Sequence, residues 1–139
     1  MALVSDADLK KIIEQGDNET LVHQANVVGD ALARQLTTSQ IRGIFGSVRR
    51  IELDWQDPAN NSANDQAYSK RLKRAQREFA LLQPRLAYQA RRERGRGVEE
   101  LSNVLTPAMR LVGKDPERFH NFVDFFEAIL AYHKAAGGQ

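Results

Sequence analysis

Apolar side chains recur along most of this chain at the three- and four-residue spacing of an α-helix. The clearest stripe consists of Leu21, Ala25, Val28, Leu32 and Leu36, which a helix places on one side. No segment alternates apolar and polar residues as a strand does, and no internal repeat is visible. The pattern predicts an all-α protein, a compact bundle of five to six helices that forms a single domain over residues 1–139.

Capping residues mark where the predicted helices begin and end. Four helix starts carry a side chain that can cap the first turn: Ser5 with Asp8, Asp17 or Asn18, Thr37 with Gln40, and Asp115 before Pro116 and Glu117. Gly16 and Gly113 are typical of helix ends. Pro84 and Pro107 are expected to bend or interrupt the fourth and fifth helices. Residues at about 56–66 are expected to form a flexible loop, and those at about 136–139 a disordered tail.

The last helix has the widest apolar arc. One stripe runs through Phe119, Phe122, Phe126, Ile129 and His133. Further apolar residues widen it: Val123, Phe125, Leu130 and Tyr132. So wide an arc predicts that this helix is buried on more than one side.

Basic residues are concentrated in one part of the chain. The segment from Lys70 to Arg96 has ten basic and two acidic residues, whereas the whole chain has a net charge of only +2. The rest of the chain is therefore net acidic. Arginine outnumbers lysine 14 to 6. Because a guanidinium group can bind phosphate through two contacts and stack on bases, this bias favours RNA or another polyanion as the partner. A solvated helix surface is the alternative explanation.

The predicted fourth helix is apolar on one side and cationic on the other. Its apolar stripe consists of Tyr68, Leu72, Ala75, Phe79, Leu82 and Leu86. On a helical wheel with about 100° per residue, Arg77 is set at 0°. The arc from about −40° to +80° around it contains Lys70, Lys73, Arg74, Arg85, Arg91 and Arg92. Tyr88 projects onto the cationic side, where its ring can stack on a base. In the third helix, Arg42 and Arg49 fall within roughly 20° of each other, at the edge of the apolar face.

No arrangement of residues predicts catalysis. The chain has no cysteine, and His23, His120 and His133 lack the spacing of a known metal or catalytic motif. His120 and Asp124 are one turn apart and could hold a metal weakly, but a surface hydrogen bond is the preferred interpretation. We therefore expect no enzyme activity, no metal ion and no cofactor, and a function that depends on binding.

Two glycine-containing segments superficially match nucleic-acid motifs. Gly43-x-x-Gly46 has the spacing of a KH loop, but the KH fold needs strands, and close helix packing explains the glycines better. The segment 94–97, Arg-Gly-Arg-Gly, resembles an RGG contact, although a basic turn is the preferred interpretation.

The cellular compartment is predicted from what the sequence lacks. No run of about 18 apolar residues occurs, so we expect no transmembrane helix and no membrane partner. The acidic N-terminal segment lacks the apolar stretch of a secretory signal. Together with the absence of cysteine, these features favour the cytoplasm.

Three motifs follow one another between residues 36 and 134. They are LTTSQIR at 36–42 with VRRI at 48–51, LQPRLAYQA at 82–90, and FHNFVDFFEAILAYH at 119–133. In this order they resemble the small subunit of type III-A CRISPR effector complexes, the Csm small subunit. The motifs frame roughly 70% of the chain.

The resemblance implies a non-catalytic helical subunit, present in several copies that stack head to tail beside the backbone subunits holding the guide RNA. Its partners would be guide (crRNA) and target RNA, the backbone and large Csm subunits, and further copies of itself. The motif positions that would contact RNA are Ser39, Gln40, Arg42, Arg49, Arg50, Arg85 and Tyr88. The helical wheel adds Arg74, Arg77, Arg91 and Arg92. Either Arg91 or Arg92 would take the place of the arginine that follows the family's LAY segment.

Two other functions fit the same basic face. One is a helical DNA-binding protein of the nucleoid type. The other is a protein–protein adaptor whose basic helix binds an acidic partner. Co-purification with guide RNA would distinguish the CRISPR function from an adaptor, and weak binding to duplex DNA would distinguish it from a nucleoid protein.

Overall fold

The computed structural model describes residues 3–55, 66–93 and 95–139. Within these ranges the chain forms six helices and no strand: α1 (Asp6–Ile13), α2 (Asn18–Leu32), α3 (Thr38–Trp55), α4 (Gln66–Arg92), α5 (Gly97–Val112) and α6 (Pro116–Ala135). The predicted all-α bundle is confirmed, and it is one compact domain. The predicted loop at about 56–66 lies outside the described residues except for its last residue, which begins α4. Among the helices of the described ranges, none has the length and apolar character needed to cross a membrane.

Hydrogen bonds confirm the predicted helix starts. At the start of α3, the Gln40 N–H donates to Thr37 Oγ1 at 3.1 Å and the Thr37 N–H donates to Gln40 Oε1 at 2.9 Å. This reciprocal pair is a capping box. The side chains of Ser5, Asp17 and Asp115 likewise accept hydrogen bonds from backbone N–H groups in the first turns of α1, α2 and α6.

Neither internal proline ends its helix. Pro84 lies inside α4 and Pro107 inside α5. The apolar stripe of α4 continues across the proline, since Leu82 and Leu86 are both buried. Of the two outcomes expected at Pro84, a bend or an interruption, the interruption does not occur. Pro84 is on the exposed side of α4, where water can replace the backbone hydrogen bond that a proline cannot donate.

The helices form three layers. α5 and α6 occupy the middle layer, because α5 packs against α1, α2, α4 and α6, and α6 packs against α1, α2, α3 and α5. α3 and α4 lie side by side on one face of this layer, and α1 and α2 lie on the other. The wide apolar arc of α6 is buried on both sides, as its sequence predicts. The α3–α4 pair is left with an outer surface that no other helix of the described residues covers.

An aromatic cluster fixes α3 and α4 to the middle layer. The Trp55 ring of α3 stacks on Phe119 of α6, with a centroid distance of 4.3 Å and an interplanar angle of 10°. Phe79 of α4 packs edge-on against Trp55 at 5.7 Å, against Phe119 at 5.1 Å and against Phe122 at 5.5 Å. Pairs of this geometry stabilise a fold beyond the area they bury. The outer α3–α4 surface is therefore mounted on a well-packed core.

Residues 136–139, expected to form a disordered tail, lie as a turn against the start of α3. Gly137 has a φ of 92°, and the Gly138 N–H donates to the His133 carbonyl at 2.9 Å. Thr38 Oγ1 donates to the Gly138 carbonyl at 3.1 Å. His133 is fully buried, and its Nε2 donates to the Leu36 carbonyl at 2.5 Å, while Nδ1 has no hydrogen-bond partner among the described residues. The end of α6 thus holds the α2–α3 turn in place.

Candidate nucleic-acid interface

The outer surface of α4 is cationic. The inner side of the helix is buried through Ala75, Phe79, Leu82 and Leu86. The opposite side exposes Lys70, Arg71, Lys73, Arg74, Arg77, Arg85, Tyr88, Arg91 and Arg92. α4 contains eight basic residues and one acidic residue. The helix therefore has the apolar and cationic sides that its periodicity predicts.

Several of these cations have no carboxylate partner within residues 3–55, 66–93 and 95–139. Lys70, Lys73, Arg77 and Arg91 form no ion pair with any residue that the structure describes. An exposed cation without a partner can bind a phosphate without first breaking another interaction. These four residues follow the outer side of α4 from its first turn to its last.

Other arginines of α4 are held by carboxylates. Arg85 Nη1 lies 2.8 Å from Glu78 Oε1, and Arg74 Nη2 lies 3.4 Å from Asp54 Oδ2 of α3. The hydrogen bond from Arg85, together with its charge, lowers the pKa of Glu78 below the ordinary value for a glutamate. Glu78 is therefore an ionised acceptor at neutral pH. Exposed ion pairs of this kind are weak, so both arginines can still exchange to another anion.

Tyr88 and Arg92 form a pair near the C-terminal end of α4. The Arg92 guanidinium lies 5.7 Å from the centre of the Tyr88 ring, within cation–π distance. Tyr88 is nevertheless 67% exposed. The pair offers a ring and a planar cation to solvent, which are the two groups that stack on an unpaired base. Of the two arginines left open by the sequence, Arg92 is the one beside Tyr88.

The predicted RNA-contacting residues at the start of α3 differ in how accessible their side chains are to a ligand. Ser39 is exposed, whereas Gln40 is half-buried and its side-chain oxygen accepts the capping hydrogen bond from Thr37. The amide N–H₂ of Gln40 is thus the part of that side chain left for a ligand. Arg42 is exposed and forms no ion pair within the described ranges.

Arg49 and Arg50 are neighbours in sequence, and the helix places them about 100° apart around α3. Arg49 Nη1 binds Glu52 Oε1 at 2.7 Å, and its guanidinium lies 5.9 Å from the centre of the Phe45 ring. Phe45 packs on Phe126, so this side of α3 faces α6. Arg50 instead lines a cleft between α3 and α4. The structure therefore separates two arginines that the sequence motif presents together.

The cleft between α3 and α4 has a volume of about 220 Å³. Its inner wall is made of buried apolar side chains: Ile44, Ile51, Ala75, Leu82 and Leu86. Its polar lining residues are Ser47, Arg50, Asp54, Glu78, Arg85 and Gln89. Gly43 also lines it, with no side chain to fill it. Hydrogen-bond donors and acceptors from cationic, anionic and neutral side chains thus surround an apolar pocket.

Comparison with known protein families identifies the family of the chain that carries this basic surface. Residues 15–139 match the family model described as Csm2 Type III-A. The chain belongs to this Csm2 family. It is a small subunit of the type III-A CRISPR (Csm) complex, as its three motifs predict. Neither a curated protein nor a solved structure gives a match.

In this Csm small subunit the predicted site residues fall into separate groups. The α3–α4 cleft brings together Arg50 and Arg85, with Arg74 tied to the lining residue Asp54. The outer side of α4 carries Arg77, Tyr88, Arg91 and Arg92. The start of α3 carries Ser39 and Gln40, and Arg42 and Arg49 share the side of α3 on which Phe45 contacts Phe126 of α6. All of them lie on the α3–α4 layer, and their contacts with RNA remain predictions.

Sequence reasoning missed two cations of the Csm subunit that extend the α4 surface. Arg110 and Lys114, from the end of α5, line a depression together with Gln76 and Gln83 of α4. Both are exposed and unpaired among the described residues. No local signal could have found them, because their position depends on how α5 packs beside α4.

The preferred explanation for Gly43 and Gly46 is wrong. A Cβ atom built at either position has no neighbour within 4 Å in the part of the chain that the structure describes, so packing against the described helices requires neither glycine. Close packing applies instead to Gly29 of α2, where a Cβ would lie 2.6 Å from Tyr132 Cβ of α6. The contact between α2 and α6 is what excludes a side chain there.

The remaining candidates have structural explanations. His120 Nδ1 lies 3.9 Å from Glu52 Oε2 of α3, a partner that its spacing from Asp124 did not suggest. In the 94–97 segment, residue 94 is outside the described residues, and Arg96 lies within 3.8 Å of Glu99 and 3.6 Å of Glu100. Gly97 is buried against the α2–α3 turn. These contacts favour the basic turn over an RGG-type contact.

Proposed function

We propose that this Csm small subunit is a non-catalytic RNA-binding subunit that holds guide-paired target RNA against the outer α3–α4 surface. The observation that carries the proposal is a row of α4 cations that form no ion pair among the described residues: Lys70, Lys73, Arg77 and Arg91. Such a row neutralises successive phosphates and releases their counterions, which gives affinity with little dependence on sequence. Arg110 and Lys114 widen the same surface.

The distribution of charge supports one orientation of the subunit on RNA. α1 and α2, in the layer opposite α3 and α4, together have two basic and four acidic residues. A polyanion is therefore attracted to the α3–α4 face and not to the α1–α2 face. This difference in charge is the reason why we place the RNA on the α3–α4 face.

Membership of the family supports the subunit's place in the complex. Several copies would stack head to tail beside the backbone subunits, so that their α3–α4 surfaces line the guide–target channel. Cleavage of RNA and DNA would belong to other subunits, and the assembled complex would act in the cytoplasm. Because the weak contacts are repeated along one RNA, the assembled complex would retain RNA that a single copy would release.

The test is RNA binding by the isolated subunit as a function of salt. Three to five phosphate contacts, at about −0.7 each for single strands, predict a slope of about −2 to −3.5 in a plot of log K against log [salt]. Arg77→Ala and Lys73→Ala should each weaken binding and bring the slope about 0.7 closer to zero. Lys11→Ala is the matched control, because it removes the same charge from exposed α1. An equal effect of Lys11→Ala would show that net charge, and not this surface, drives binding.

Two further probes distinguish the alternative functions. Duplex DNA of the same length should bind more weakly than single-stranded or guide-paired RNA, and tighter binding of the DNA would favour a nucleoid protein. Purification of the tagged subunit from cells with a type III-A system should recover guide RNA. A preparation that retains an acidic protein but no guide RNA would favour an adaptor.

A further inference from the structure

We propose that the cleft between α3 and α4 receives one unstacked base of the bound RNA. The inference rests on the proposed RNA-binding function and adds to it a contact with a base. A volume of about 220 Å³ is below the roughly 300–1,000 Å³ of pockets that enclose drug-sized ligands. The cleft therefore suits a single flat ring system and not a complete nucleotide.

The chemistry of the lining favours a base over a phosphate. Asp54 and Glu78 line the cleft together with Arg50 and Arg85. The two carboxylates offset the charge of the two arginines, so the cleft gives a phosphate little net attraction, and they can accept hydrogen bonds from the amino groups of adenine, cytosine and guanine. Arg50 and Gln89 can donate to ring nitrogens and carbonyl oxygens of a base. Phosphates are thus expected on the outer side of α4 and a base edge in the cleft.

The inner wall matches the face of a base. Ile44, Ile51 and Leu86 are buried apolar residues that line the cleft on both helices. An aromatic ring that leaves the stack of an RNA strand can pack on such side chains while its edge meets the polar rim. The apolar wall and the rim of donors and acceptors are the two parts that base recognition needs.

Gly43 leaves space for a base in the cleft because it has no side chain. A glycine inside a helix lowers stability relative to alanine, and no neighbour within 4 Å requires one at this position. Gly43 lines the cleft, so any side chain there would occupy part of it. Gly46, three residues later on the same helix, also has no neighbour within 4 Å of a built Cβ, but it does not line the cleft. The two glycines form a matched pair of test positions.

The experiment compares Gly43→Leu with Gly46→Leu in the full chain, with two fluorescent probes of equal length. One probe is an ordinary single-stranded RNA, and the other has the same ribose-phosphate backbone without bases. Because the loss of one hydrogen-bonded base edge costs on the order of tenfold in binding, Gly43→Leu should weaken binding of the ordinary RNA by about tenfold. Binding of the abasic probe and the salt slope should be unchanged. Gly46→Leu should match the wild type with both probes.

Several results would overturn the proposal. An equal loss with both probes would mean that Gly43→Leu disturbs the phosphate surface, and no loss with either would mean that the cleft holds no base. A loss of assembly with other Csm subunits, with RNA binding intact, would make the cleft a protein interface. If Gly43→Leu fails to fold, the two probes are compared in the wild type and in Tyr88→Ala. Equal affinity of the wild type for both probes excludes a base contact, and a preference for the ordinary RNA that Tyr88→Ala abolishes would place the base at Tyr88 and not in the cleft. A wild type that binds neither probe refutes the proposed function itself, whereas normal binding that is insensitive to Gly43→Leu refutes only the cleft.

Discussion

The substitution Gly29→Ala tests the closest helix contact in the subunit. A Cβ at this position would lie 2.6 Å from Tyr132 Cβ, 2.7 Å from the His133 nitrogen and 2.9 Å from the Ile129 oxygen. Two of these three neighbours are backbone atoms of α6, which cannot rotate away. α2 and α6 would have to separate by several tenths of an ångström to reach the 3.4 Å of ordinary contact.

The expected magnitude is a difference between two opposing effects. Alanine gains about 1 kcal/mol over glycine inside a helix. Forcing an extra methyl group into a packed interface costs about 1–3 kcal/mol, and the rigid neighbours at Gly29 favour the upper end. Gly29→Ala should therefore lower the free energy of unfolding by about 1–2 kcal/mol. The melting temperature should fall by about 3–8 °C for a chain of this size.

Thermal and urea unfolding, followed by circular dichroism, measure the effect. Gly43→Ala and Gly46→Ala are the controls, because they make the same change inside α3 without any neighbour within 4 Å. Both should raise stability by about 0.5–1 kcal/mol. If Gly29→Ala raises stability as the two controls do, the close approach of α2 to α6 is refuted.

Three further outcomes are expected. Phe122→Ala should lower the free energy of unfolding by about 3–5 kcal/mol in urea, because Phe122 is fully buried, whereas Arg77→Ala should stay within about 0.5 kcal/mol. Arg85→Ala should raise the pKa of Glu78 toward its ordinary value in a ¹³C carboxyl NMR titration, since Arg85 is the main cause of its lowering. As pH falls through the lowered pKa of the wild type, protonation of Glu78 should weaken its pairing with Arg85. The purified subunit should cleave neither RNA nor DNA, with or without divalent metal, and metal-dependent cleavage lost in His120→Ala would contradict a non-catalytic role.

The helices and their boundaries follow from the sequence because they depend on local interactions. The Thr37–Gln40 capping box joins residues three positions apart, and its two hydrogen bonds form as predicted. The cationic side of α4 follows from the 3.6-residue period alone. Pro84 shows the limit of such rules: the local signal allowed either a bend or an interruption, and α4 continues through the proline with Leu82 and Leu86 both buried.

The arrangement of the candidate site was decided by the tertiary structure. The helical period alone places Arg49 and Arg50 on different sides of α3, but only packing sets Arg50 at the α3–α4 cleft and Arg49 on the side next to α6. Arg110 and Lys114 join the α4 surface only because α5 packs beside it.

The glycines show the same division between sequence and tertiary structure. Gly29 and Gly43 are both helix-interior glycines in the sequence, but a neighbouring helix excludes a side chain at Gly29 and none does at Gly43. Residues 136–139 have the composition of a loose end, yet Thr38, about one hundred positions earlier, donates to Gly138. The period of a helix is fixed by its own backbone geometry, whereas contacts between helices depend on how distant segments pack. The sequence alone therefore determined which residues share a face of a helix. Only the tertiary structure determined which other residues that face contacts.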